Sequence, residues 1–390
     1  MTAILVFALT LLFAVLLSEL AHRSILSSAV IFLVVGFFLG NGMLHLLTVS
    51  PGNPVFGHLA DLALFTVLFT DGMRVGIKDL ACAWQLPGRA LLLGLPLTLL
   101  GTAALAHYVA GTGWMEGLLL GAVLSPTDPV FAAAIVGRQE IPQRLRQLLN
   151  VESGLNDGLA LPLVVGLLAL LQSQEFHFWP LAGELLLGVG IGVALPWLAV
   201  RIEKCQLFSI ATAQEPLFAF SIGLLVYAAT SMAHANKYLG AFAAGVTIST
   251  VRPELRDEFR QFGELLVELL KLAAVMVFGA LISPRFLAEI SPAGYLFALA
   301  TLILVRPLAL GVALIGTKIT WPEQIAASWF GPKGFASVVY GLLVLQSGVE
   351  NTEHLFHLIA LVVVASILAH SSTDVVVSRW FGNLKPKEQG

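Results

Sequence analysis

Charged residues are scarce in this sequence. Only 12% of its 390 residues are Asp, Glu, Lys or Arg, whereas 57% are hydrophobic and the mean hydropathy is +0.89. A soluble globular domain carries about 25% charged residues, so the composition excludes that class. The chain is predicted to be embedded in a membrane.

Cysteines and common catalytic motifs are also few or missing. The two cysteines, Cys82 and Cys205, lie near the side that basic residues mark below as cytoplasmic, so we expect no disulfide. The sequence has neither an HExxH zinc motif nor a GxxxxGK[ST] phosphate loop, which argues against two classes of enzyme. No basic residue precedes the first apolar run, which favours a membrane helix over a cleaved signal peptide.

Long apolar runs follow one another along the whole chain. A helix of roughly 20 apolar residues spans a bilayer, so the sequence predicts an all-α polytopic membrane protein with about 13 transmembrane helices. The predicted spans are 2–22, 28–48, 55–73, 88–110, 114–136, 150–172, 178–200, 214–235, 237–252, 260–282, 293–316, 324–347 and 354–378. We expect no soluble domain outside them.

Lysine and arginine concentrate in alternate loops. Most of the 21 basic residues fall in one set of loops, and the opposite set contains only Lys237 and Arg285. Short loops rich in Lys and Arg stay in the cytoplasm. The distribution therefore predicts an external N-terminus and a cytoplasmic C-terminus.

The first six and the last six spans correspond at an offset near 206 residues. We predict a first six-helix repeat at 1–172, a linking helix and cytoplasmic loop at 173–213, an inverted second repeat at 214–378 and a short cytoplasmic tail at 379–390. Inverted repeats with interrupted helices are typical of secondary transporters. Both predicted repeats contain such an interruption, at SPTDP in span five and at FGPKG in span twelve.

The interruptions predict unwound backbone inside the membrane. Pro126, Pro129 and Pro332 each lack a backbone N–H and clash with the preceding turn. Unwound backbone is tolerated at membrane depth where it lines a polar cavity. Asp128 lies between two of these prolines, so the sequence predicts a polar site around it.

A second polar segment, VESGLNDG, opens span six. Residues four apart share one face of a helix, so Ser153 lies beside Asp157. Glu152 lies beside Asn156 for the same reason. Carboxylate, hydroxyl and carbonyl oxygens are the ligands that a hard cation prefers, and SPTDP supplies more of them. The alternative is that these carboxylates only hold helices together through hydrogen bonds.

Small residues four apart recur in two spans. VVGFFLGNG in span two and LGAFAAGV in span nine predict close contacts between helices, since small side chains let backbones approach.

The segments SPTDPV, VESGLNDG, VRPLAL and WFGPKGFAS together resemble the NhaP-type sodium/proton antiporters of the monovalent cation:proton antiporter superfamily (the CPA1-like branch), over essentially the whole chain. The resemblance implies a cation held by Thr127, Asp128, Ser153 and Asp157, with the two aspartates exchanging cation for proton. Asp71 in LFTDGM matches an acidic residue of span three that faces the site in the family, with Asp in place of the usual Glu.

The resemblance also implies a supporting set. Glu152 and Asn156 are expected to stabilise the crossed helices, and Arg306 is expected to pair with a carboxylate such as Glu152. Pro126 and Pro129, which interrupt span five, belong to the same supporting set. Lys333 stands where the family usually has Arg. We favour a fixed charge that offsets the broken helix ends, while loss of its proton during the cycle is the alternative and would change the stoichiometry.

The resemblance implies exchange of sodium or lithium for protons by alternating access. Asn156 precedes Asp157 where electrogenic relatives carry a second aspartate, which suggests electroneutral exchange. We expect no enzyme activity, no cofactor and no nucleic-acid partner. The implied setting is the inner membrane of a prokaryote, where the chain forms a homodimer through the first and seventh spans.

Three other functions use similar features. A potassium/proton antiporter shares the architecture and differs at one or two ligand positions. A cation channel would need a continuous polar stripe, whereas the polar groups here cluster at mid-depth. An intramembrane aspartyl protease would use two buried aspartates, but the flanking prolines and the repeat favour ion coordination.

Overall fold

The computed structural model describes residues 2–17, 27–40, 43–46, 54–74, 85–128, 141–172, 178–204 and 210–384. Within these ranges all regular structure is helical and there is no β-strand. The predicted all-α class is therefore confirmed for the described part of the chain.

The described helices are numbered here in chain order. They are α1 (Thr2–Leu16), α2 (Ser28–Leu39), α3 (Pro54–Arg74), α4 (Gln85–Tyr108), α5 (Trp114–Leu124), α6 (Gln143–Gln172), α7 (Phe178–Glu203), α8 (Glu215–Met232), α9 (Lys237–Val251), α10 (Pro253–Leu281), α11 (Pro284–Glu289), α12 (Pro292–Ala313), α13 (Trp321–Trp329), α14 (Phe335–Gln346) and α15 (Thr352–Leu384). Every predicted span overlaps at least one of them.

Six of the described helices are long and apolar enough to cross a membrane, judged by length and composition: α4, α6, α7, α8 (extended back to Thr212), α12 and the part of α15 from Thr352 to His370. Four shorter apolar helices are α1, α2, α5 and α14. A multi-pass membrane protein is thus supported, whereas the count of about 13 spans and the inversion of the repeats remain predictions.

Both predicted interruptions are present. Helix α5 ends at Leu124, and the backbone from Ser125 to Asp128 is not helical. Helix α13 ends at Trp329, and α14 begins at Phe335. Proline at positions 126 and 332 accounts for these breaks, because its ring and missing N–H are incompatible with a continuing helix.

Two π-helical turns were not predicted from the sequence. Ala90–Gly94 lies within α4 and Thr301–Val305 within α12. Each turn ends two residues before a proline, Pro96 in α4 and Pro307 in α12. Proline removes one i to i−4 hydrogen bond, and a wider turn is one way for a helix to absorb that loss.

The chain divides into two compact units. The first comprises Met1–Gly57, Gln85–Ser153 and Leu272–Gly390, and the second comprises His58–Trp84 and Gly154–Lys271. Each unit combines segments from both predicted repeats, so the units are not the repeats. The repeat division at 172, 213 and 378 stays a prediction.

The first unit is held together by an apolar core and by close helix contacts at glycine. One buried cluster joins α4, α6, α12 and α13: Ala90, Ile141, Leu145, Leu148, Leu149, Leu310, Leu314, Ala326, Ala327 and Phe330. A Cβ at Gly36 of α2 would lie 2.2 Å from the carbonyl oxygen of Met276, and one at Gly40 would lie 2.5 Å from that of Ala280. The close contact predicted from VVGFFLGNG is therefore confirmed.

The second unit uses the same type of contact. Gly245 of α9 faces the Phe69 carbonyl of α3, which a Cβ would approach to 2.2 Å. Gly192 of α7 faces the Gly240 carbonyl of α9, which a Cβ would approach to 2.3 Å. Only glycine allows backbones this close, so the contact predicted from LGAFAAGV is also confirmed.

Candidate functional site

The two broken helices meet at Asp128 within the first unit. The Asp128 N–H donates to the Pro332 carbonyl at 2.9 Å, and the Phe335 N–H donates to Asp128 Oδ2 at 3.1 Å. The residue is 2% exposed. Breaking a helix frees N–H and C=O groups, and here those of each break pair with the other segment.

Gly334 makes this approach possible. A Cβ at Gly334 would lie 2.1 Å from Asp128 Cβ and 2.6 Å from Oδ2. No real side chain tolerates such a distance. The glycine of GPKG is therefore required for Asp128 to reach the N-terminus of α14.

Lys333 also contacts the other broken helix at the point where the two breaks meet, which we call the crossing. Its Nζ donates to the carbonyl oxygen of Ser125, the C-cap of α5, at 3.4 Å, and the residue is 2% exposed. A cation at a helix C-terminus offsets the partial negative charge of the last carbonyls. A charged ammonium group and a neutral amine can both donate this bond, so the fixed charge of Lys333 stays a prediction.

Thr127 and Ser153 are brought together as expected. Their hydroxyl oxygens lie 3.3 Å apart, and both side chains are buried. Thr127 comes from the unwound segment after α5 and Ser153 from α6. Two predicted ligands of one cation are thus in contact, and one of them, Thr127, directly precedes Asp128 in the sequence.

Arg306 and Glu152 form a buried ion pair. Arg306 Nη1 and Nη2 donate to the two carboxylate oxygens at 2.7 and 3.0 Å, and Nη2 also donates to the Ala327 carbonyl at 3.2 Å. Both side chains are 6% exposed. A Cβ at Gly331 would lie 2.0 Å from Arg306 Nε, so that glycine makes room for the guanidinium. The predicted partner of Arg306 is confirmed.

The remaining predicted residues are Asn156, Asp157 and Asp71 of the second unit, Pro126 of the first unit, and Pro129. Asn156 and Asp157 are buried on α6, one turn after Glu152 and Ser153, as the helical spacing predicts. Asp71 is buried on α3, where Arg74 Nη1 donates to its Oδ1 at 3.2 Å. Pro126 is buried in the unwound segment, whereas Pro129 lies outside the described residues.

The burial of the Asp128 carboxylate has a chemical consequence. A carboxylate buried among apolar helices is costly to ionise unless a cation or hydrogen-bond donors compensate its charge. The Asp128 carboxylate accepts the Phe335 N–H, and the hydroxyl of the preceding residue, Thr127, lies 3.3 Å from that of Ser153. Binding of a proton or a cation by Asp128 stays a prediction.

A sequence model described as "Sodium/hydrogen exchanger, transmembrane" matches residues 8–379. The chain belongs to the sodium/hydrogen exchanger family. The resemblance to NhaP-type antiporters, which the four motifs predicted, is thereby confirmed.

Curated relatives of this family member are potassium exchangers by name. The chain is 27% identical over 393 residues to the K(+)/H(+) antiporter NhaP of Alkalimonas amylolytica, covering 99% of this chain and 68% of that protein. It is 24% identical over 380 residues to the K(+)/H(+) antiporter NhaP2 of Shewanella baltica strain OS223, covering 94% and 64%. The chain thus spans about two thirds of the length of these relatives.

A solved structure shares the fold. The sodium proton antiporter MjNhaP1 of Methanocaldococcus jannaschii at pH 8 superposes with a TM-score of 0.82 over 98% of each chain, at 18% sequence identity. The fold of this exchanger-family member is therefore that of MjNhaP1.

Three residues at the crossing were missed by the sequence analysis. Ser337 Oγ donates to the Val123 carbonyl at 2.8 Å, which ties α14 to α5. Ser366 and His370 of α15 contact the break between α13 and α14. The sequence contained a signal for Ser366 and His370, because two polar residues four apart in an apolar span indicate a polar contact on one face of the helix.

Proposed function

We propose that the protein exchanges sodium or lithium ions for protons across the membrane. The observation that carries this proposal is the position of Asp128, a buried carboxylate at the crossing of two interrupted helices. Interrupted helices that present backbone groups to a mid-membrane site are typical of secondary transporters. Membership of the sodium/hydrogen exchanger family supports the same reading.

Competition between two ions at one site gives the mechanism. The proposed ligands are Thr127, Asp128, Ser153 and Asp157, and Asp71 is proposed as a further acidic residue of the set. A proton on an aspartate removes the charge that attracts the cation, so the two ions exclude each other. Alternate exposure of the site to each side of the membrane then couples the two fluxes.

The supporting residues keep fixed charge near the site. Glu152 and Arg306 neutralise each other, and Lys333 offsets the carbonyl at the end of α5. We propose that none of the three changes its charge during the cycle. With Asn156 before Asp157, one proton then crosses for each monovalent cation and no net charge moves.

Potassium is the second candidate cation. The named curated relatives are K(+)/H(+) antiporters, whereas the named structural neighbour is a sodium proton antiporter. The ligand types present suit either ion, because hydroxyl and carboxylate oxygens bind both.

Transport by purified protein in liposomes tests the proposal. With a pH gradient and an internal pH dye, sodium, lithium, potassium or choline is added in turn, with and without valinomycin and potassium to clamp the voltage. We expect a small cation to collapse the gradient at a rate that the clamp leaves unchanged. Failure of every cation between about pH 5 and 9 would overturn the exchanger assignment.

Matched substitutions assign the activity to the proposed site. Asp128→Asn and Asp157→Asn should each abolish exchange, because an amide does not ionise. It therefore neither takes up and releases a proton nor supplies the charge that binds a cation. Asp257→Asn is the control, since Asp257 on α10 has a side chain that is 74% exposed. Sodium-dependent exchange retained by Asp157→Asn would remove Asp157 from the mechanism.

The setting of the protein is part of the proposal. A multi-pass location in a membrane follows from the family, and we propose the inner membrane of a prokaryote. A homodimer through α1 and α7 is proposed as well, on the basis of the family resemblance. Cross-linking in native membranes tests the dimer, and a chain that stays monomeric there would contradict it.

A further inference from the structure

Helix α15 contacts the break between α13 and α14 through two polar side chains. Ser366 is fully buried, and His370 is 3% exposed. The two residues lie four positions apart and therefore share one face of α15. Neither belongs to the ligand set proposed above.

Both sides of the break are bound by this pair. The Lys333 N–H donates to Ser366 Oγ at 2.7 Å, just before α14 begins. His370 Nε2 lies 2.8 Å from the carbonyl oxygen of Trp329, the last residue of α13. Ser366 Oγ lies 3.1 Å from His370 Nδ1, which is also 2.7 Å from the Ser366 carbonyl oxygen. With the proton on Nε2, His370 donates to the Trp329 carbonyl and its Nδ1 accepts the Ser366 hydroxyl, which joins the two contacts.

The break needs these partners because it leaves backbone groups without helical ones. The N–H of Lys333 lies outside both helices and is buried, so it requires an acceptor from elsewhere. The Trp329 carbonyl receives the Gly331 N–H at 2.8 Å in a tight turn, and His370 approaches the same oxygen. Removal of either side chain leaves a buried polar group poorly satisfied.

The segment between the two helices is the one that holds Asp128. Pro332, directly before Lys333, accepts the Asp128 N–H, and Phe335, two residues after Lys333, donates to the Asp128 carboxylate. Asp128 is thus hydrogen-bonded to Pro332 of this segment and to Phe335 directly after it. Ser366 and His370 contact Lys333 of the same segment and Trp329 directly before it. A shift of the segment moves the carboxylate relative to Thr127 and Ser153.

We infer that Ser366 and His370 are positioning residues that set the affinity of Asp128 for its cation by fixing the segment from Phe330 to Gly334. The inference rests on the proposed function, since it concerns cation affinity at Asp128. Neither residue touches the cation. They act through the backbone of Lys333 and Trp329.

Exchange kinetics in the same liposomes test the inference. Ser366→Ala and His370→Leu remove the contacts and should raise the apparent KM for the cation about tenfold. Ser366→Thr keeps the hydroxyl and His370→Gln keeps a donor of similar reach, so both should stay within about twofold of the wild-type KM. The maximal rate per folded protein, counted by size-exclusion fluorescence, should change little.

Thr373→Val is the matched control on the same helix. The Thr373 hydroxyl accepts the indole N–H of Trp329 at 2.8 Å, so it joins α15 to the side chain of Trp329 and not to the backbone groups of the break. Its KM should equal that of the wild type. If Ser366→Ala does not fold, Ser366→Cys, with a weaker acceptor of similar size, should show the KM rise instead.

Three results would overturn the inference. They are an unchanged KM in the folded Ser366 and His370 variants, an equal rise in Thr373→Val, or a lower maximal rate at unchanged KM, which is the mark of a merely structural role. A wild-type protein that exchanges no cation is a different failure, because it removes the proposed function itself.

Discussion

Two glycines at the crossing lie so close to charged side chains that no Cβ would fit. Asp128 lies against Gly334, and the Arg306 guanidinium lies against Gly331. In both places the neighbour occupies the volume that a Cβ would need. These two glycines are therefore as specific to the site as the charged residues they face.

Substitution of Gly334 by alanine tests this close approach. The new Cβ would lie 2.1 Å from Asp128 Cβ, so the segment must move, and we expect a loss of about 3 kcal/mol of stability together with loss of exchange. Gly311→Ala in α12 is the control, because a Cβ there meets nothing within 4 Å and alanine favours the helix by roughly 1 kcal/mol. Thermal unfolding in detergent measures both. A Gly334→Ala protein as stable as Gly311→Ala would contradict the geometry.

The buried pair of Glu152 and Arg306 predicts strong coupling. Removing one partner leaves a buried charge uncompensated, which costs about 3–5 kcal/mol. Glu152→Leu and Arg306→Leu should each destabilise the protein, and the double variant should be more stable than either single one. A double-mutant cycle of unfolding midpoints measures the coupling. Additive losses would show that the pair contributes no mutual stabilisation.

At the scale of elements, the N-terminus of α13 is tied to α6. Glu323 caps α13 by accepting the Thr320 N–H at 2.8 Å, and Arg144 of α6 donates to both Glu323 oxygens, from Nε at 2.6 Å and from Nη2 at 2.5 Å. Arg144 Nη1 also donates to the Lys318 carbonyl at 3.0 Å. These hydrogen bonds fix the position of the first turn of α13. Because α13 is short, they also fix the position of its last turn, next to the break.

The Glu323 cap predicts a pH dependence of stability. Burial raises the pKa of Glu323, but hydrogen bonds from Arg144 and Thr320 outweigh it and place the pKa below the ordinary 4.5. A lowered folded-state pKa means that the stabilisation is complete above about pH 4.5 and is lost as the pH falls through the folded pKa. Glu323→Gln should therefore be less stable than wild type at pH 7, by about 1 kcal/mol.

Unfolding midpoints between pH 7 and pH 3 measure this effect. The difference between wild type and Glu323→Gln should shrink towards the acid end. Glu350→Gln is the control, because Glu350 lies exposed in the turn before α15. A difference that stays constant with pH would contradict the role of the carboxylate.

At the scale of the whole molecule, the unequal distribution of basic residues predicts which side each loop faces. Arg285 lies in the first turn of α11, and its side chain is 89% exposed, while Lys318 is exposed before α13. In a background with Cys82 and Cys205 replaced by serine, Arg285→Cys should react with an impermeant maleimide on intact cells. Lys318→Cys should react only after the membrane is opened. The reverse pattern would invert the predicted orientation.

Much of the fold was predictable because its signals are local in sequence. Apolar run length predicted spans that each overlap a described helix, and the prolines of SPTDP and FGPKG predicted both interruptions. The glycines of spans two and nine gave two close helix contacts. The π-helical turns before Pro96 and Pro307 were not predicted, since a proline inside a span is compatible with a kink, a break or a wider turn, and packing selects among them.

For the candidate site, the sequence predicted residue types and neighbours along the chain, whereas the geometry came from the structure. The sequence alone determined the membrane class, the broken helices and the carboxylates and hydroxyls that accompany them, because these depend on composition and short-range backbone chemistry. Only the tertiary structure decided that the Phe335 N–H points at Asp128 and that Ser366 and His370 contact the break. These contacts join residues far apart in the chain, and only packing determines which buried polar group finds which partner.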